Sequence, residues 1–208
     1  MCRDEIIQKG TGTIYHELGH VFGYCLANKN ESTYLGEILE VSIGVKKSAV
    51  ILTNSYYHYE ELNKSIEEIR FNTSNKERTV AWFIEVISGC TFQAIYEEKD
   101  FNLCFGPYEN QNGYADYSNV ASIARYSSFH YTIDDICIMQ KKYHQFILDN
   151  NVLDFLKPQI NEISYMLRES NECQISFTNQ QIVELVEYFN KIIDAKMLNE
   201  YLKIIDDF

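Results

Sequence analysis

Apolar residues recur at helical spacing in several separate stretches of this chain, and its elements follow from them. Ile14, Leu18, Phe22 and Cys25 fall on one stripe, which predicts an amphipathic helix over Thr13–Asn28. Thr11 or Thr13 can cap its start, and the polar run Asn28-Lys29-Asn30-Glu31-Ser32 stops it. Rough alternation over Ile38–Ile43 and the short apolar run Val50, Ile51, Leu52 within Ser48–Thr53 predict two strands. A sparse helical pattern around Leu62, Ile66 and Ile69 covers residues 58–70. A stronger one covers Lys76–Glu98, with Val80, Phe83, Ile84, Ile87 and Phe92 directed to a core. Gly89 inside that helix marks either close packing or a kink. Phe101–Tyr114 holds Gly106, Pro107, Asn112 and Gly113 and reads as a loop, followed by a helix over Asp116–Ser127. From Thr132 onward the pattern is helical, over 132–149, 151–169, 178–192 and 194–205. Thr178 and Gln181 form a capping box at one of these starts. The pattern predicts a mainly α (α+β) chain with a small N-terminal β-sheet and C-terminal helices, organised as one domain over residues 1–208.

Composition narrows the function classes. The 208 residues carry 18 Lys and Arg against 30 Asp and Glu, a formal charge of −12. Such a surface is poorly suited to a nucleic-acid backbone or an anionic membrane, both of which attract Lys and Arg. No run of about 18 uninterrupted apolar residues is present, so membrane insertion is not expected. The first ten residues contain two acids and lack an apolar core, so no signal peptide is expected either. Six cysteines without a Cys-x-x-Cys pair suit reduced thiols in a cytoplasmic protein better than a disulfide framework or a Cys-type zinc site.

The chemistry concentrates in His16-Glu17-Leu18-Gly19-His20, the HExxH pattern of zinc hydrolases. Positions i and i+4 of a helix lie one turn apart on the same face, so His16 and His20 can present ring nitrogens to one Zn²⁺. Glu17 can reach a water held there and serve as general base and proton shuttle. The histidines lie roughly opposite the Ile14/Leu18/Phe22 stripe, which predicts one buried face and one opening onto a cleft. Gly19 and Gly23, on or beside the histidine face, predict the close approach of another backbone. A catalytic zinc needs a third protein ligand and an open position. The remaining histidines are His58, His130 and His144, and the acids are many; spacing alone does not choose among them. His58, within Tyr56-Tyr57-His58-Tyr59, reads as part of an aromatic cluster. His130 reads as a structural histidine, and Asn119 and Arg125 as structural residues.

Tyr15-His16-Glu17-Leu18-Gly19-His20 resembles the aromatic-His-Glu-Ala-Gly-His helix that opens the peptidase domain of the FtsH-type AAA proteases. Val41-Ser42-Ile43 looks like that family's short Val-x-Ile strand. Val86–Glu97 is loosely similar to its Gly-rich Ala-Ala-Glu helix. Gly113–Arg125 (GYADYSNVASIAR) is similar to the family's Gly-Ala-x-Asn-Asp-Leu-x-x-Ala-Thr-x-Ile-Ala-Arg helix. The last of these puts Asp116 on the family's third zinc ligand. Without the resemblance, Asp116 reads equally well as a helix N-cap. The departures are Leu18 for Ala, Ala115 for the Asn before the Asp, a poorly kept Gly-Gly-Arg segment and a longer interval between His20 and Asp116.

The resemblance implies a helical, zincin-like peptidase domain. Residues 1–130 would form its metal-site half and residues 131–208 its C-terminal helical bundle. Zn²⁺ would be held by His16, His20 and Asp116, with Glu17 catalytic. The expected function is zinc-dependent hydrolysis of peptide bonds in unfolded chains or a partner protein, without an ATPase motor of its own. A separate AAA ATPase or a homo-oligomer is the implied partner. The alternative is a catalytically inactive, peptidase-like module that binds peptides or proteins.

Overall fold

The computed structural model describes residues 3–44, 48–52, 73–170 and 174–208. Helix α1 spans Arg3–Ala27, strand β1 Ile38–Gly44, β2 Ala49–Leu52 and α2 Lys76–Tyr96. There follow α3 (Phe101–Cys104), α4 (Tyr114–Tyr126), α5 (Ile133–Asp149) and α6 (Val152–Glu169). Strand β3 (Gln174–Ser176), α7 (Asn179–Ile192) and α8 (Ala195–Asp206) complete the chain. Among the described residues the chain is mainly helical with one small antiparallel sheet, as the pattern predicts. The segment 58–70 and His58 lie outside the described residues.

Caps fix most helix starts within a residue or two of expectation. Asn75 accepts from Arg78 N at the head of α2, and Asp194 accepts from Met197 N at the head of α8. Thr132/Asp135 and Thr178/Gln181 form complete capping boxes on α5 and α7. Two boundaries differ. The first helix begins ten residues before Thr13, so neither Thr11 nor Thr13 opens it. Phe101–Cys104, expected as loop, forms one helical turn capped by the Asp100 side chain.

The sheet also departs from expectation. β1 pairs antiparallel with β2, with Val41 opposite Val50. On its other edge it pairs with β3, with Ile43 opposite Ile175, giving the order β2-β1-β3. The sheet is therefore not purely N-terminal: its third strand comes from the half expected to be a separate set of helices. A three-residue Gln-Ile-Ser strand is too short for period-two alternation to register.

The core is built around α1 packed on α2. Every residue of α1 from Ile14 to Ala27 is buried, and so is every residue of α2 from Thr79 to Ala94. The expected one-sided burial of α1 is thus corrected, because α2 covers the glycine and histidine side while α6 and α7 also pack on α1. Lys76–Glu97 is long and apolar enough by composition to cross a membrane, but it is 89% buried inside the fold, the position of a core helix. The described cysteines Cys25, Cys90, Cys104 and Cys137 are all free thiols.

Candidate metal centre

The histidine pair sits where α1 and α2 approach most closely. A Cβ on Gly19 would stand 2.7 Å from Ser88 O, and one on Gly23 would stand 3.0 Å from Glu85 Cα. Any larger residue would hold the backbones apart, so the two glycines do bring another backbone onto this side of the helix. Gly89 is the counterpart on α2. A Cβ there would collide with His20 Nε2 and fall 2.9 Å from His16 Nε2. The absent side chain leaves a small space facing both imidazoles, and no kink is needed to explain this glycine.

Three donor atoms converge. His16 Nε2 lies 3.1 Å from His20 Nε2 and 3.1 Å from Asp116 Oδ2. His20 Nε2 lies 3.8 Å from the same oxygen. A tetrahedral zinc with bonds of roughly 2.0–2.2 Å has donor–donor edges of about 3.3–3.5 Å. The observed triangle brackets that value, so the residues fit such an ion. Asp116 stands in the first turn of α4, where a helix N-terminus favours a carboxylate. It is not the cap; that position belongs to Gly113, which offers no side chain.

The ring of His20 is held from behind. Its Nδ1 lies 2.8 Å from Glu85 Oε1, and both residues are buried. A carboxylate on Nδ1 leaves Nε2 with its lone pair free, the arrangement typical of a metal-ligating histidine. For His16, Nδ1 is buried without a partner, and so is Oε1 of Gln93. Gln93 is the last and smallest of the influences that raise the His16 pKa.

Electrostatics point the same way. Two imidazoles share this interior with the carboxyls of Glu17, Glu85 and Asp116. Burial pulls the His16 pKa down, but the hydrogen bond and charge of Asp116 outweigh it and carry it up to about 9. Burial opposes the charge on Asp116 too, yet the histidines hold its pKa below the ordinary value. Burial raises Glu17 and Glu85 above the usual carboxylate range despite the nearby imidazoles. Three acids around two histidines form a site whose negative charge a buried cation would offset.

One further donor adjoins the triangle. His16, Cys90 and Asp116 each present a ligand atom within 4.8 Å of the others, a group able to hold a metal ion. The sequence reading missed both Cys90 and Glu85. The signal for Glu85 was a lone acid inside the apolar run Phe83-Ile84-Glu85-Val86-Ile87. His130 is exposed and has a left-handed backbone, and His144 is only partly buried on α5; neither belongs to the cluster. The expected open cleft is not seen on the histidine side, where His16 and His20 are each only 8% exposed. The Asp116 side chain, 19% exposed, is the most open of the three donors.

No protein-family model, curated protein or solved structure matches this chain.

Proposed function

We propose that this chain is a zinc-dependent metallopeptidase of the FtsH-like kind, with a zincin-like metal site. The observation that carries the reading is the convergence of His16 Nε2, His20 Nε2 and Asp116 Oδ2, with Glu17 on the same helix beside them. When bound, zinc would acidify a water and polarise a substrate carbonyl. His16, His20 and Asp116 would hold the ion, and Glu85 would keep the His20 ring in its ligating tautomer. Glu17 would take the proton of the attacking water as the C–O bond forms. It would then give that proton to the amine nitrogen as the C–N bond breaks. Burial raises the Glu17 carboxyl above its ordinary value, which strengthens it as a proton acceptor. An unfolded polypeptide in the cytoplasm, delivered by a separate ATPase or taken directly, is the substrate class consistent with this reading.

The burial of the histidines favours a second reading, in which the chain holds its metal without turning over substrate and serves as a protein-binding module. Casein hydrolysis by zinc-loaded protein separates the two. Glu17→Gln should lower turnover by roughly 10²–10⁴-fold while leaving zinc content unchanged. Equal activity of the two proteins sinks the catalytic role of Glu17.

A further inference from the structure

We infer that Cys90 is a fourth donor to the same metal, so that the resting centre is closed by a thiolate. The inference rests on the metal-site reading above and adds to it a ligand that the HExxH pattern does not supply.

Cys90 follows Gly89 on α2, so the residue that leaves room beside the imidazoles is joined directly to the one that presents sulfur. Its Sγ lies 3.7 Å from Asp116 Oδ2. In a tetrahedral centre with a zinc–sulfur bond of about 2.3 Å, a sulfur–oxygen edge of roughly 3.5 Å is expected. His16 completes the group within 4.8 Å. The sulfur is hemmed in: a Cβ on Gly113 would collide with it, and its other polar neighbour is Cys104 O at 3.8 Å. Gly113 thus admits the thiol beside the first turn of α4, which carries Asp116. Binding would release the thiol proton to solvent, since the ligand is the thiolate. A sulfur donor also selects for zinc over magnesium, calcium or manganese. With four protein donors no position is left for water, so any hydrolysis requires the thiolate to leave.

Cobalt substitution tests this. The Co²⁺-loaded wild type should show visible bands of a four-coordinate ion together with a near-ultraviolet thiolate-to-cobalt band. Cys90→Ser should lose the near-ultraviolet band and keep stoichiometric cobalt, whereas Cys104→Ser should keep both. A 2.3 Å sulfur shell in zinc X-ray absorption of the wild type gives the same answer without a variant, should Cys90→Ser fail to fold. Stoichiometric cobalt without the thiolate band, or a band that survives Cys90→Ser, overturns the inference and leaves the His16/His20/Asp116 centre standing. Failure to bind cobalt, or binding unchanged in His16→Ala and His20→Ala, overturns the centre itself and this inference with it.

Discussion

Helices α2 and α7 are both mostly regular and well capped, but they are buried in different ways. In α2 every residue from Thr79 to Ala94 is buried, including Glu85, Ser88, Thr91 and Gln93. In α7 only Ile182, Leu185 and Phe189 are buried, a single stripe, and the polar residues face water. The difference decides what a polar side chain means. On α7, Gln180 and Glu184 bond each other at the surface, an arrangement of small energetic consequence. On α2 each polar group needs an internal partner, since an unpaired one costs about 1–3 kcal/mol. Ser88 and Thr91 find theirs in Ile84 O and Ile87 O of their own helix. Glu85 finds His20 on α1. Polar residues of the central pair are therefore commitments to particular contacts, and the metal-binding group lies among them.

This contrast can be broken by mutation. Phe22 is fully buried between Phe92 of α2 and Phe189 of α7. Phe22→Ala should cost about 3–5 kcal/mol, measured by urea unfolding; a loss below about 1 kcal/mol would show that the central pair is not the tight core described.

The next largest effect is on pH dependence. The fold raises the His16 pKa from 6.5 to about 9 by pairing it with Asp116 despite burial. The metal-free protein therefore gains stability from protonated His16 that is fully present below pH 6.5. That stability is lost as pH rises through about 9. Its Tm should fall across that window, and saturating zinc, which displaces the proton, should remove the fall. His16→Asn should flatten the metal-free profile; a metal-free wild type already flat there would contradict the ion pair.

Glu85→Gln keeps the size of the side chain and removes the charge behind His20. Zinc affinity should drop about 10–100-fold, read by competition with a chromogenic chelator, and a drop confined to less than twofold would make Glu85 merely a filler.

The shell helices should respond less. Thr178→Ala removes one capping box and should cost about 1 kcal/mol. Lys157→Ala breaks an exposed pair with Asp154 and should cost less than about 0.5 kcal/mol. Losses from these two as large as that from Phe22→Ala would erase the distinction between core and shell.

Legibility followed the same divide. The shell helices were readable nearly to the residue because a one-sided apolar stripe and a polar cap are both local signals, as at Thr132 and Thr178. The start of α1 was not readable, since its opening residues Arg3, Asp4, Glu5, Gln8 and Lys9 are polar and only Ile6 and Ile7 among them are apolar, too few for a stripe. HELGH was visible because its spacing is that of one helical turn. Asp116 came only through resemblance, and the structure brings it 3.1 Å from His16 across 100 positions of chain. Glu85 and Cys90 depend on which side of α2 meets α1, a matter set by Gly19, Gly23 and Gly89 rather than by any periodicity within α2 itself.

The short strand β3 has a consequence for how the chain tolerates cutting. Gln174–Ser176 covers one edge of β1, whose Val41 and Ile43 point into the core. A protein ending before Gln174 would lose two helices and also bare the backbone groups of Val41 and Ile43 on that edge. An uncovered edge of this kind recruits strands from other molecules. The last thirty-odd residues thus act as a guard against self-association, and a truncated chain should pass from solution into sheet-rich aggregates rather than persist as a smaller domain.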